Sequence, residues 1–297
     1  MPDVAGVLSY TDIMTSPRLA DYARRLEELG YQELWVPDLM GRETFVTAGF
    51  LLANTTRLRV ASGIASVYGR DALSTAQAAR TLSELHGNRF SLGLGVTHRD
   101  LAEMRGHEWV PALAKMRSYL EDVAAAEVRS PQPSQPTPIY IAANGFKMLE
   151  LAARATDGAN TFIMPSEHTR RAREILGPDK ALNVVLPSFF CDDAAQGRAA
   201  ARNGLSIYMQ HPVYQQQWAQ FGLGADDQSN GGSDRFVDAL VAWGDEAAIR
   251  ERAREHLDAG ATRILVFDFN PRPDSELLPA VAPTRGPASH ASIPGGR

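Results

Sequence analysis

The sequence repeats one short pattern, an amphipathic helix followed by a glycine and then by a short apolar strand. The pattern occurs as LADYARRLEELG-YQELWV, AQAARTLSELHG-NRFSLGLG, LELAARATDG-ANTFIM and IRERAREHLDAG-ATRILVF. The glycines that stand where a left-handed residue would end each helix are Gly30, Gly87, Gly158 and Gly260. Ser16 and Pro17 are expected to open the first helix as its N-cap and first residue. Helices that lead into strands through such short loops are typical of alternating α/β folds.

The pattern extends along most of the chain. Eight strands are predicted, near 3–9, 32–37, 57–62, 89–95, 137–142, 159–163, 182–190 and 262–268. Helices are predicted near 17–29, 43–54, 72–86, 112–128, 146–155, 167–176, 194–208, 234–242 and 246–258. Alternation of this kind over roughly 250 residues predicts a (β/α)8 TIM barrel, and apolar runs such as 264–267 fit its doubly buried parallel strands. An open doubly wound sheet is the alternative, but the early glycine-rich turn of that fold is absent.

Two segments depart from the alternation. Residues 209–233 are aromatic and rich in glutamine, then rich in glycine, and we expect an insertion after the seventh strand that forms a lid or wall. Residues 283–297 are mostly Pro, Gly, Ser and Ala, so we expect a flexible, disordered C-terminal tail. The predicted organisation is therefore one domain over residues 1–282 followed by this tail.

Composition excludes several classes of protein. Of the 297 residues, 44% are hydrophobic and 22% are charged, which excludes a mostly disordered, collagen-like or coiled-coil chain. The net charge of -5 argues against a nucleic-acid partner, and no stretch approaches the ~18 apolar residues of a membrane span. A single cysteine, Cys191, and the lack of a signal peptide favour a reducing, cytoplasmic setting. Because Cys191 follows the seventh strand, it is also a candidate pocket residue.

In a barrel of this type the active site lies at the C-terminal ends of the strands. Asp38 ends the second strand, where it is either a turn cap or an acceptor for a polar ligand. His98 follows the fourth strand and is either structural or a general acid or base, since its ordinary pKa is near neutrality. Asn144 and Gly145 precede a helix, where they form either an ordinary N-cap or, with Lys147 nearby, a site for an anion such as phosphate.

The sequence contains no metal-binding or nucleophile motif. The segment GLGVTH at 93–98 begins like a dinucleotide fingerprint but lacks the third glycine, so glycines that leave space at the barrel mouth are the preferred explanation. The motifs HExxH, CxxC, GxSxG and the phosphate loop are absent, and the histidines have no ligand spacing, so no metal is expected. A chain that lacks these groups often leaves its chemistry to a bound organic cofactor.

Several segments resemble a known family in the right order. They include ARRLEELGYQELWVPD, SELHGNRFSLGLGVTHR, AANGFKMLELAARATDGANTF and DEAAIRERAREHLDAGATRILV, between about residues 4 and 268. They resemble the luciferase-like monooxygenase superfamily and, within it, the coenzyme F420-dependent (deazaflavin) oxidoreductases of actinobacteria. The resemblance implies a (β/α)8 barrel with an insertion after the seventh strand and a cofactor across its mouth. It also implies a small-molecule substrate and a homodimer.

The resemblance further implies which residues contact the cofactor. The matching positions are Asp38, Gly63, Ile64, Ala65, Val96, Thr97, Ala143, Asn144 and Gly145. Among them, Gly63-Ile64 matches a cis peptide bond in a bulge behind the deazaflavin ring, and Asp38 matches an aspartate that contacts the polar part of that ring. The segment 143–145 matches the loop that holds the cofactor phosphate.

The sequence departs from the family pattern at two positions. Leu39 stands where many deazaflavin dehydrogenases carry a catalytic histidine, and His98 stands where some carry a proton-donating glutamate. A histidine can make the same proton transfer, so His98 is the catalytic candidate. Leu39, Tyr68 and Arg70 are candidate substrate contacts, although Tyr68 and Arg70 would also fit loop packing and a surface charge.

The predicted function is hydride transfer between carbon 5 of deazaflavin coenzyme F420 and a small organic substrate, with His98 handling the proton. One alternative keeps the barrel and uses FMN, as a luciferase-like monooxygenase supplied by a reductase. A second alternative is a barrel that binds cofactor without turnover.

Overall fold

The structure, a computed structural model, describes residues 4–269 and 276–283. Within them, eight parallel strands close into a barrel: β1 (Gly6–Leu8), β2 (Glu33–Val36), β3 (Arg59–Ser62), β5 (Phe90–Gly95), β6 (Ile139–Ala142), β7 (Gly158–Phe162), β8 (Ala181–Phe190) and β10 (Arg263–Asp268). The barrel closes because β10 pairs with both β8 and β1. Two short strands, β4 (Ala65–Ser66) and β9 (Ala242–Gly244), pair with β5 and β8. The predicted (β/α)8 barrel is confirmed.

Helices surround the barrel. Those close to predicted positions are α1 (Ser16–Glu28), α2 (Thr44–Ala53), α3 (Ala72–Leu85), α5 (Ala112–Ala125), α6 (Phe146–Ala155), α7 (Ser166–Leu176), α8 (Ala194–Leu205), α11 (Asp234–Leu240) and α12 (Glu246–Asp258). Four shorter ones are α4 (Arg99–Met104), α9 (Pro212–Gln220), α10 (Ala225–Gln228) and α13 (Leu277–Ala280). The main core lies between helices and strands and includes fully buried Leu26, Leu51 and Ile264. Burial of these apolar faces drives the helices onto the barrel.

The insertion is an ordered wall of the barrel. After α8, a short 3-10 turn (Tyr208–Gln210) leads into α9 and α10, which cover most of residues 209–233. Trp218 of α9 is fully buried and donates its indole N–H to the carbonyl oxygen of Ile163 at 2.8 Å. This contact fixes the insertion to the end of β7, because burying an indole without a partner for its N–H would be costly.

Local expectations differ from the structure at a few positions. Gly30, Gly87 and Gly260 have φ of 89°, 62° and 104°, as expected for helix ends. The prediction for Gly158 is wrong, because it begins β7, where a Cβ atom would collide with the carbonyl oxygen of Ala181. The N-cap of α1 is Thr15, so Ser16 is the first helical residue.

The ends of two predicted helices also differ, because helix 194–208 stops at 205 and the residues after α11 form the short strand β9. The single domain over 1–282 stays a prediction, and residues 284–297 of the predicted tail lie outside the described residues. Among residues 4–269 and 276–283, no helix is long and apolar enough to cross a bilayer. No group of three or more His, Cys, Asp or Glu side chains in the same ranges could hold a metal ion.

A polar cluster lies at the N-terminal end of the barrel. The Glu33 side chain is 6% exposed and accepts a hydrogen bond from the Trp35 indole N–H at 2.8 Å. Its other oxygen lies 3.4 Å from Nε of Arg263 and 3.6 Å from Nε of Arg59. Burial alone would lower the pKa of Arg263, but the Glu33 carboxylate and the Tyr140 hydroxyl together outweigh it and raise that pKa. One buried carboxylate thus faces two guanidinium groups at this end of the barrel.

A buried histidine should make the stability of the fold depend on pH. His256 on α12 is 1% exposed, and burial, assisted by Arg252, lowers its pKa from 6.5 to about 3. The unfolded chain therefore binds a proton below about pH 6.5 that the folded chain does not bind. We expect the free energy of unfolding to fall by roughly 2 kcal/mol between pH 6.5 and 5, from this group alone, at about 1.4 kcal/mol per pH unit. 

Urea unfolding at several pH values measures this dependence. His256→Gln should reduce its slope, whereas His107→Gln, at an exposed position, should leave it unchanged. An equal slope for His256→Gln and the original chain would contradict the prediction.

Candidate active site

Asp38 organises the loops that follow β2 and β3. Its carboxylate is 4% exposed and accepts hydrogen bonds from the backbone N–H of Ser66 and from Nη1 of Arg70, both at 3.0 Å. The other guanidinium nitrogen of Arg70 pairs with Glu43 at 2.7 Å. Arg105 lies 4.0 Å from the second oxygen of Asp38. Asp38 therefore ties together three segments at the barrel mouth, and Arg70 is already engaged in ion pairs.

The bulge after β3 has the backbone expected for it. The Gly63-Ile64 peptide bond is cis. The carbonyl oxygen of Ile64 accepts the backbone N–H of Asp38 at 3.3 Å, and a Cβ atom at Gly95 would overlap the Ile64 side chain. The missing side chain at Gly95, on the neighbouring strand β5, thus leaves room for Ile64. This agrees with the interpretation that the glycines of segment 93–98 leave space at the barrel mouth. Ala65 follows the bulge and is fully buried in β4.

His98 lies at the end of β5 and contacts the insertion. Its ring stacks on that of His211, with centroids 3.9 Å apart and planes 1° apart, and the ring of Tyr214 is 6.4 Å away. Burial, and next the neighbouring His211, lower the pKa of His98, while Asp100 acts in the opposite direction. His98 is therefore neutral at pH 7 and can accept a proton there.

The two residues before His98 continue the strand end. Val96 is buried, and Thr97 has a φ of 65°. Ile163, at the end of β7, has a φ of 54°. Left-handed backbone is unfavourable for a β-branched residue, and such conformations cluster at functional sites. Both positions lie at the barrel mouth, where that pattern fits a binding site.

The segment after β6 leaves a helix start without a side-chain cap. The Asn144 side chain does not cap α6, because it pairs with the backbone N–H and C=O of Phe162 at 3.1 and 3.0 Å. The carbonyl oxygen of Asn144 bonds to Nε2 of buried His168 at 2.7 Å, and Ala143 is buried. Gly145 is the N-cap of α6 and offers no capping side chain. The first N–H groups of this ten-residue helix can therefore bind an anion.

Gln217 of the insertion faces this helix start, which the sequence did not indicate. Its Nε2 would lie 3.6 Å from a Cβ atom at Gly145, while its Oε1 is buried with no hydrogen-bond partner among the residues that the structure describes. Phe221 packs against Phe146 and holds this part of the insertion over α6. The Gln217 amide can donate from Nε2 to a phosphate and accept a hydrogen bond from a hydroxyl group at Oε1. A buried oxygen without a partner, beside an uncapped helix start, therefore fits a phosphate flanked by hydroxyl groups. The residues present therefore fit a phosphorylated cofactor.

The three candidate substrate contacts differ in their surroundings. Leu39 is 41% exposed at the mouth and is free to contact a ligand. Tyr68 is 4% exposed, accepts the backbone N–H of Val110 at 2.9 Å and stacks on Trp109. Tyr68 therefore holds the loop after β5, which fits its packing alternative. Arg70 is 14% exposed and pairs with Asp38, so it is not the surface charge of its alternative. Cys191 follows β8, is half-buried and donates its thiol to the carbonyl oxygen of Asp193.

Comparison with known proteins identifies the family. Residues 2–263 match the luciferase-like monooxygenase family. The chain belongs to that family. It is 25% identical to a 5,10-methylenetetrahydromethanopterin reductase from Methanolobus tindarius, across 84% of this chain and 89% of the relative.

Two solved structures show the same fold in members with different cofactors. An F420-dependent secondary alcohol dehydrogenase, in complex with an F420-acetone adduct, superposes with a TM-score of 0.74 at 15% identity, covering 95% of this chain and 97% of the other. The oxygenating constituent of 3,6-diketocamphane monooxygenase from Pseudomonas putida, in complex with FMN, gives a TM-score of 0.66 at 12% identity, covering 94% and 96%. The luciferase-like barrel fold alone therefore does not indicate whether F420 or FMN binds.

Proposed function

We propose that this luciferase-like protein is an oxidoreductase that binds coenzyme F420 across the barrel mouth and transfers a hydride to or from a small organic substrate. The observation that carries the proposal is the placement of the Gly63-Ile64 bulge, His98 and the uncapped start of α6 on neighbouring strands. The similarity of this chain to a methanopterin reductase and to an F420-dependent alcohol dehydrogenase supports the choice of an F420-dependent oxidoreductase. When bound, the deazaflavin supplies two-electron hydride chemistry.

Residues of this chain have separate tasks in the proposal. The N–H groups that follow Gly145 bind the phosphate, since a helix N-terminus favours negative charge. The bulge at Ile64 backs the ring system, and Asp38 orients the loop beside it through Ser66. His98 accepts or returns the proton that accompanies the hydride.

Cofactor titration tests the proposal. Oxidised F420 and FMN are added separately to the purified protein, and fluorescence quenching reports binding. We expect micromolar or tighter binding of F420 and much weaker binding of FMN. Binding of FMN without binding of F420 would overturn the proposal and favour the FMN-dependent monooxygenase, for which the diketocamphane monooxygenase structure provides the precedent. Binding of F420 without turnover of any substrate would favour the non-catalytic barrel.

Gln217 gives a second test of cofactor placement. Gln217→Ala removes the amide beside Gly145, so we expect F420 to bind at least about tenfold more weakly, as for the loss of one hydrogen bond to a charged group. Gln216→Ala removes an exposed amide from the same helix and serves as the matched control. Calorimetric titration with F420 and with the same deazaflavin lacking its phosphate measures the effect. An equal loss for both ligands would contradict a phosphate contact.

Assembly and location extend the proposal. We expect a homodimer in an actinobacterial cytoplasm, with a small molecule as its partner and neither nucleic acid nor membrane. Light scattering during size-exclusion chromatography measures the mass of the particle in solution. A mass of about 32 kDa, that of one chain, would contradict the dimer.

A further inference from the structure

The barrel mouth divides into two halves. In the closed ring of strands, β2, β3, β5 and β6 are consecutive, and they carry the residues assigned to the cofactor. The other consecutive strands are β7, β8, β10 and β1, and the insertion follows helix α8, which comes after β8 in the chain. A cofactor on the first half leaves the second half for the substrate, because hydride donor and acceptor must face each other.

Aromatic rings line this second half. Tyr10 follows β1 and meets Phe267 of β10 with centroids 5.1 Å apart. The ring of Phe162 of β7 lies 5.2 Å from that of Tyr208, in the 3-10 turn that leads into the insertion, and 5.9 Å from that of Phe267. Rings from the ends of three strands and from the turn before the insertion therefore converge, and we call Tyr10, Phe162, Tyr208 and Phe267 the aromatic half. A flat aromatic ligand can make edge-to-face and offset contacts of the same kind with these rings.

Two phenol hydroxyl groups meet in the aromatic half. The Oη atoms of Tyr10 and Tyr208 are 3.5 Å apart, which is at the limit of a hydrogen bond, so each can still serve a ligand. Burial raises the pKa of Tyr208, which keeps its hydroxyl protonated and able to donate. Tyr10 is 40% exposed and can be reached from the mouth.

Guanidinium groups near the mouth are engaged elsewhere. Arg70 pairs with Asp38 and Glu43 on the cofactor side. Arg42 donates to the backbone carbonyl oxygen of Thr11 at 2.7 Å. Because both groups are already paired, a carboxylate or phosphate among the aromatic rings would lose hydration without gaining either of these two countercharges, a cost that a neutral molecule avoids.

We propose that the aromatic half binds an uncharged, planar aromatic compound whose carbonyl or hydroxyl oxygen hydrogen-bonds to Tyr10 and Tyr208. The proposal rests on the proposed function for placing the cofactor on the opposite side. Binding of the compound can nevertheless be measured without cofactor, so the two proposals can fail separately.

Equilibrium dialysis of the full-length protein tests the substrate class. The probes are 2-acetylnaphthalene, a neutral aromatic ketone, and 2-naphthoate, its carboxylate counterpart. We expect the ketone to bind at least tenfold more tightly than the carboxylate. Tyr208→Leu should weaken ketone binding about tenfold, and Tyr208→Phe, which keeps the ring, about threefold to fivefold.

Matched measurements separate the outcomes. Leu85→Ala, which trims an exposed apolar side chain on the outer helix α3, should leave ketone binding unchanged, and thermal unfolding confirms that each variant is folded. Failure of the protein to bind the ketone, equal binding of ketone and carboxylate, or undiminished ketone binding by Tyr208→Leu would each overturn the proposal. Ketone binding that persists while F420 fails to bind would overturn the proposed function alone.

Discussion

Replacing His98 with alanine is expected to lower turnover by about 10²–10⁴-fold while F420 binds within about twofold of its original affinity. The reason is that His98 lies at the end of β5, beside the residues assigned to the cofactor, and is neutral at pH 7. Steady-state F420 absorbance with a compound that the original protein turns over gives the rate, and calorimetry gives the affinity. His107→Ala, an exposed histidine in the same loop, is the control. Unchanged turnover would remove His98 from the mechanism.

The pH profile of the same variant series gives an independent readout. A neutral His98 accepts a proton when the substrate donates hydride, so activity in that direction should hold above the lowered pKa and fall as pH drops through it. His211→Ala removes the second-largest cause of the lowered pKa, after burial, and uncovers the ring. We therefore expect the acidic limb to move to higher pH, and NMR titration of the His98 ring to move with it. An unmoved limb would show that another group titrates.

Glu33→Ala is expected to destabilise the fold by roughly 2–4 kcal/mol. Removing one partner of a buried ion pair usually costs about 3–5 kcal/mol, and we lower this value because the Arg59 and Arg263 side chains are 39% and 28% exposed, which admits solvent screening. The Trp35 indole N–H would also lose its acceptor. Urea unfolding measures the effect.

Two variants sharpen the result for Glu33. Glu33→Gln keeps an acceptor for Trp35 and should cost less than Glu33→Ala. Asp21→Ala removes one partner of an exposed pair on α1 and should change stability by less than about 0.5 kcal/mol. Equal losses for Glu33→Ala and Asp21→Ala would contradict a special role for the barrel cluster.

The sequence by itself determined the fold, because parallel strands buried on both sides and helices with one apolar face leave a strong local pattern. It failed at Gly158, where proximity to the neighbouring strand, rather than a helix end, requires glycine. It also placed candidate residues at the ends of β2, β3, β5 and β6, because chain order fixes which strands are neighbours in a barrel.

Only the tertiary structure decided which of these side chains meet groups that are distant in sequence. It paired Arg70 with Asp38, stacked His98 on His211 and set Gln217 beside Gly145. The contacts of His98 with His211 and of Gln217 with Gly145 involve residues of the insertion. The aromatic and Gln-rich sequence of the insertion has no helix or strand periodicity from which its position could be predicted. That position follows from the burial of Trp218 against Ile163, a contact between side chain and backbone 55 residues apart.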